Sequence, residues 1–251
     1  MSVFWALVSN DLMLKKRQPC QFSVWTKFYL GIAIVIGLGG YTWSLLQGFI
    51  DLNYLFSFIP FLIIIPFGVS LSIIGSEWQN DTVGWWLSLP YSRNILLGAK
   101  CTASFLRFIQ SMLIILVVSL ALALEAILIK PDLYTMQQLF GGLQLGILNA
   151  IWNILISPLP IFLGVTLAIV KRSHWKPASP LFWLSFILMI NLYFNKFLNF
   201  TTKNAPNGYS PLGISINVSS NNYLVIILVA IALSALLFAI SSYLLDRHVE
   251  V

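Results

Sequence analysis

Between Phe28 and Phe49 the chain runs for 22 residues without a single Asp, Glu, Lys or Arg. A helix rises 1.5 Å per residue, so about 20 apolar residues cross the ~30 Å hydrocarbon core of a bilayer. A second charge-free run, Tyr54–Ile74, follows almost at once. Such runs need an apolar solvent. The whole chain points the same way: 59% of its residues are hydrophobic and 9% are charged, against ~25% charged in soluble domains. So little polar material cannot cover the surface of a water-soluble fold. The expected fold class is therefore an all-α membrane protein, a single transmembrane domain over residues 1–251.

Length and lack of charge predict six spans, at 28–49, 54–74, 105–129, 139–170, 180–198 and 223–245. Leu96–Ser104 is expected to lead into the third span from the interface. The fourth stretch is too long for one straight crossing. It holds Pro158 and Pro160, which remove backbone donors, so either it bends or its first turns lie outside the bilayer; a similar kink is expected at Pro60 or Pro66 in the second span. Residues 1–20 read as an interfacial helix, with Phe4, Trp5, Leu7, Val8 and Leu12 apolar and Asn10, Asp11, Lys15, Lys16 and Arg17 polar. Met1–Leu14 lacks the apolar core of a cleavable signal peptide, so the first span is expected to be retained. The segment 199–222 is the longest expected outer loop.

An even number of spans puts both termini on one side, and Lys and Arg choose the side. Lys15, Lys16, Arg17, Lys27, Arg93, Lys100, Arg107, Lys171, Arg172, Lys176 and Arg247 fall on one side, and only Lys130, Lys196 and Lys203 on the other. The expected topology is N-in and C-in, with lipid as the surrounding partner. The net charge of +6 is thus an orientation signal and not a footprint for nucleic acid. Cys20 and Cys101 fall in segments expected at the cytoplasmic face, where thiols stay reduced.

Most site chemistries are missing. Gly98-Ala99-Lys100-Cys101 is the nearest fragment to a phosphate-cradling loop and lacks its pattern. His174 and His248 are the two histidines; neither falls inside a span, where an axial haem ligand belongs. No His-Glu-x-x-His run or Cys/His cluster suggests a metal. The expectation is a chain that is not itself an enzyme and binds no cofactor. Charges at membrane depth usually mark pathways, and Glu125, near the outer end of the third span, is the main candidate. That scarcity argues against an ion-coupled carrier.

The most informative segment is Ser76–Lys100. Glu77 and Asp81 stand four apart, a spacing that puts both carboxylates on one helix face. Trp78, Trp85 and Trp86 suit the membrane–water boundary. Leu89-Pro90 ends the helix, because the residue before proline is pushed out of the α region. Tyr91-Ser92-Arg93 then turns, and the next helix is expected to begin at Asn94. A short helix with carboxylates is either a docking surface for a cytosolic partner or an amphipathic connector.

This stretch resembles the signature segment of ABC-2 type transporter permeases. That pattern runs from an acidic residue through Gly-Thr and an apolar run ending Leu-Pro to an aliphatic-Ser-Arg turn and a downstream Lys. Glu77, Thr82, Leu87, Leu89, Pro90, Ser92, Arg93 and Lys100 match it. Asp81 stands where the family usually has Gly, and Tyr91 replaces the aliphatic residue. The resemblance implies the membrane subunit of an ABC exporter in a bacterial cell membrane. It would pair with a second permease subunit, identical or related, and with cytosolic P-loop ATPase subunits that bind ATP and Mg. Glu77, Asp81, Thr82, Trp85, Leu89, Pro90, Tyr91, Ser92 and Arg93 would form the ATPase-coupling segment. Lys171, Arg172, His174 and Trp175 would form a second inner loop beside it. Stand-alone permeases of this size resemble the peptide-export and immunity group, so a hydrophobic or amphipathic peptide is the expected cargo. The alternatives are a non-transporting scaffold or immunity protein, and an exporter of lipid, drug or ion.

Overall fold

A computed structural model describes residues 3–17, 24–49, 52–203 and 220–247. The fold is all-α: no strand occurs among the described residues. Ten helices are described: α1 (Val3–Arg17), α2 (Val24–Gln47), α3 (Leu52–Ser57), α4 (Ile64–Gln79), α5 (Val83–Ser88), α6 (Arg93–Ile129), α7 (Met136–Ile156), α8 (Pro158–Val170), α9 (Ser179–Lys203) and α10 (Ser220–Arg247). Among the described residues, five stretches are long and apolar enough to cross a membrane: Leu55–Gln79, Arg93–Ile129, Met136–Ile156, Lys176–Phe194 and Val225–Asp246. The expected first span coincides with α2. Most of the expected outer loop, 204–219, and residue His248 lie outside the described residues, as do Met1, Ser2 and 18–23.

Proline chemistry divides two of the spans. Ile59–Ile63 forms a 3-10 turn around Pro60 between α3 and α4, and Asn153 Nδ2 donates to the Ile59 carbonyl at 2.6 Å. The fourth expected span is two helices, α7 and α8, meeting at Ser157. Pro158 cannot donate to the Ile154 carbonyl four residues back; the Ser157 hydroxyl does so instead, at 2.8 Å. The third span and its lead-in are one helix. The 37 residues of α6 reach about 55 Å, longer than the ~30 Å hydrocarbon core is thick.

Helix α8 is the centre of the bundle. Ten of its residues are buried, among them Val165, Thr166, Leu167 and Ile169, and it packs chiefly on α4 and α10. Gly164 is the point of closest approach to α4: a Cβ there would sit 2.2 Å from Ser70 Oγ and 2.6 Å from the Phe67 carbonyl. Thr166 and Ser241 join α8 to α10 by a buried hydroxyl–hydroxyl bond of 2.8 Å. By contrast α9 turns Leu181, Leu184, Ile187, Leu188 and Leu192 outward. Apolar side chains on an outer face are ordinary when lipid is the solvent.

The N-terminal helix does more than lie on a surface. Val8 of α1 is buried with Ile73, Ala99 and Ala103, flanked by Phe4, Leu7 and Leu12. Arg107 Nη2 donates to the Asp11 carbonyl at 2.5 Å. Asp11, expected on the polar side, is buried against α6. Helix α1 is thereby fixed at the end of the bundle where α4 ends and α6 begins. Lys130 lies at the other end, where it donates to the Leu46 carbonyl, and Glu125 is half-buried on the last turns of α6.

Candidate functional site

The segment between α4 and α6 is not one helix. α4 stops at Gln79, Asn80 caps it, and Asp81 takes a positive φ of 54°. The Thr82 N–H then donates to the Glu77 carbonyl at 2.9 Å. This six-to-one bond around a left-handed residue is a Schellman closure, a place normally held by Gly. Asp is among the few other residues that visit this region readily. Asp81 therefore makes a turn that Gly makes most readily. It also overturns the shared carboxylate face: a spacing of four places two side chains together only while the helix continues, and here it ends between them.

Helix α5 follows. Val83, Trp86 and Leu87, at i, i+3 and i+4, are buried with Ile74, Leu96, Leu97, Val165, Ile169, Val170 and Leu244. Trp85 points away and is 61% exposed, with Ser88 exposed beside it. Of the three tryptophans expected at a boundary, only Trp85 is on the surface; Trp86 is in the core and Trp78 packs against it. Leu89 is extended, at φ −60° and ψ 139°, as the following Pro90 requires. Ser92 is the N-cap of α6, which begins at Arg93, one residue earlier than expected.

Beneath α5 lies a buried ionic node. Lys100 of α6 is 1% exposed. Its ammonium donates to Glu77 Oε1 at 2.5 Å and to Asp11 Oδ1 at 3.3 Å. It also sits 4.9 Å over the Trp86 ring, a cation–π arrangement. The second Glu77 oxygen accepts from the Thr82 hydroxyl at 2.5 Å. Four elements meet at one cation: α1, the end of α4, α5 through Trp86, and α6, which carries it. Burial pushes the Asp11 carboxyl above its ordinary value of 3.8; Lys100, by charge and hydrogen bond, pulls the other way, and Glu77 adds to the rise. Glu77 is thus an interior residue of the segment and presents no carboxylate for docking.

The outer lip is different. Arg93 Nη1 donates to the Leu87 carbonyl at 2.5 Å, and Arg93 Nε lies 3.6 Å from Asp246 of α10. Ser242 Oγ donates to Asn94 Oδ1 at 2.5 Å. An open hollow of about 410 Å³ is lined by Leu87, Leu89, Pro90, Tyr91, Ser92, Arg93, Asn94, Ser242 and Asp246.

The basic loop after α8, expected as the second inner loop, lies at the same end. Val170 before it and Ala178 after it belong to the core cluster that holds Val83 and Trp86. Lys171, Arg172, His174 and Trp175 are all exposed. Ser173 Oγ accepts from the Trp175 N–H at 3.2 Å, and Lys171 Nζ is 5.5 Å over Trp183. The structure thus brings Trp85, Pro90, Tyr91, Ser92 and Arg93 to the same end of the bundle as this basic loop. It sends Glu77 inward.

Asp11, Trp86 and Lys100 were not among the coupling residues expected from the sequence. The available signal was Lys100 itself: a lone cation among Leu96, Leu97, Ala99 and Cys101 must find a partner when it is placed in an apolar helix. No group of three or more His, Cys, Asp or Glu able to hold a metal occurs among the described residues. No family model matches the chain, and neither a curated protein nor a solved structure matches it.

Proposed function

We propose that this chain is the membrane-spanning permease subunit of an ATP-driven ABC exporter, with α5 and the turn after it docking on a cytosolic ATPase. The observation that carries this reading is the two-sided construction of α5. Its inner face is anchored by Val83, Trp86 and Leu87 above a buried ion pair, while Trp85, Pro90 and Ser92 are exposed and Tyr91 and Arg93 are half-buried between them. A surface that must transmit force needs this combination of rigid seat and free face. The likeness of Glu77–Lys100 to the ABC-2 signature supports it, and Asp81 at φ 54° fills the place of the usual Gly. The clustering of Arg93, Lys100, Arg107, Lys171, Arg172 and Lys176 toward one end fits an inner-side placement of both loops.

The chain supplies no energy source of its own. Moving an access equilibrium from 1:99 to 99:1 takes ~5.5 kcal/mol of differential binding, which ATP binding to partner subunits would provide. A second permease copy would complete the pathway. The outward apolar faces of α2 and α9, with Val35, Ile36, Leu184 and Leu188, suit lipid and an apolar or amphipathic peptide cargo better than a sugar or an ion.

The test is co-purification with a candidate ATPase, comparing the parent with Trp85→Ala. Loss of the complex from a variant that still inserts and stays monodisperse supports docking through α5; an unchanged complex overturns it. Inverted vesicles that accumulate a labelled amphipathic peptide with ATP support the cargo, whereas accumulation of small ions alone overturns it. A complex whose ATPase rate ignores cargo identifies a binding scaffold instead.

A further inference from the structure

We propose that Lys100 is a positioning residue that ties α1 to α5, so that the N-terminal helix moves with the docking helix. The inference rests on the reading of α5 as a docking helix, but the tie itself is a matter of geometry.

Lys100 has three N–H donors, and its two hydrogen bonds are unequal: 2.5 Å to Glu77 and 3.3 Å to Asp11. Glu77 is locked to the turn that launches α5 through the Thr82 hydroxyl and N–H. Asp11 belongs to α1, which is also held by Val8 against Ile73, Ala99 and Ala103 and by the Arg107 bond to the Asp11 carbonyl. The ammonium is buried, so it has no water to turn to when either carboxylate withdraws. A displacement of the α5 turn changes how much of the cation Glu77 holds, and the remainder falls to Asp11. The ionic part of the grip on α1 is therefore set by the position of α5. Removing Lys100 leaves two buried carboxylates facing each other, and their repulsion acts on both helices together. Arg107 does not share this role, because it meets the backbone carbonyls of Asp11 and Leu12 and not the Glu77 turn.

The experiment uses the full chain in lipid nanodiscs, with Cys20→Ser and Cys101→Ala. Two buried reporters are introduced separately: Val8→Cys on α1 and Val83→Cys on α5. Reaction with a soluble maleimide is expected to be slow at both. Adding Lys100→Met should raise both rates at least tenfold. Asp11→Asn should raise the Val8→Cys rate and leave Val83→Cys within twofold. If Lys100→Met frees only one reporter, or neither, the tie is overturned.

If Lys100→Met does not insert, the triple variant Asp11→Asn/Glu77→Gln/Lys100→Met removes the buried charges together. Faster labelling at both reporters there supports the proposal, and parental rates at either overturn it. With a partner ATPase present, Lys100→Met should still form the complex while cargo stimulation of ATP hydrolysis falls toward the basal rate; full stimulation overturns the transmission role. A parent chain that never binds an ATPase would sink the docking reading, while the labelling pattern would still decide the tie.

Discussion

Two ion pairs flank α5, and they are built on opposite terms. Lys100–Glu77 is 2.5 Å long, with side chains 2% and 8% exposed. Arg93–Asp246 is 3.6 Å long, with side chains 30% and 55% exposed. Water screens the outer pair and has already compensated most of its charge, so such pairs contribute ~0–1 kcal/mol. The inner pair has given up its water and depends on its partners, so breaking it from one side costs ~3–5 kcal/mol. The lesson is a division of labour around one short helix: the inner pair holds it in place, and the outer pair leaves its lip adjustable.

The largest expected effect is therefore Lys100→Met, which strands Glu77 and Asp11. It should lower stability by ~3–5 kcal/mol, read as a large drop in thermal midpoint in detergent, with the triple neutral variant recovering most of it. Glu77→Gln comes next. It keeps the shape and the Thr82 contact but removes the charge that Lys100 faces, and a loss of ~2–3 kcal/mol is expected from a weakened charge-assisted bond. A loss as small as that of an exposed pair would mean that water reaches Lys100.

Asp11→Asn should cost less than Glu77→Gln, because its bond to Lys100 is longer and burial already disfavours the carboxylate. The sign can be checked by titration. The folded carboxyl lies above 3.8, so between the two values the folded chain holds more protons than the unfolded one. The Asp11 contribution to stability therefore grows as pH falls and is lost as pH rises through the folded value. The parent should show this acid-side gain, and Asp11→Asn should abolish it. Asp246→Asn belongs to the outer pair and should change stability by less than ~1 kcal/mol; a larger loss would end the contrast. Smallest is Asp81→Gly, which relieves the left-handed backbone without touching the node. It should stabilise the chain by ~0.5–1 kcal/mol, a rise of a degree or two in thermal midpoint.

Much of this arrangement was legible in one dimension. The apolar runs announced helices that cross a membrane, because no water-soluble fold can hide them. Leu89-Pro90 marked an extended residue between two helices, because the proline ring acts on its immediate neighbour. Pro158 likewise marked the division between α7 and α8. These are local effects, set by residues adjacent in the chain. The shared face for Glu77 and Asp81 failed for a reason just as local but hidden: a helical spacing says nothing about where a Schellman turn ends the helix when Asp stands in for Gly.

What the sequence by itself determined is the solvent this protein needs, the approximate places of its helices, and the segment most unlike the rest, Glu77–Lys100. Only the tertiary structure decided which side of that segment is interior. Asp11 and Lys100 are 89 residues apart, and no periodicity links them. They meet because α1 folds back onto α6 through Val8, Ala99 and Ala103, and a buried cation then takes whichever carboxylates packing delivers. Burial of a charge is a property of three-dimensional neighbours, and the chain's order does not contain it.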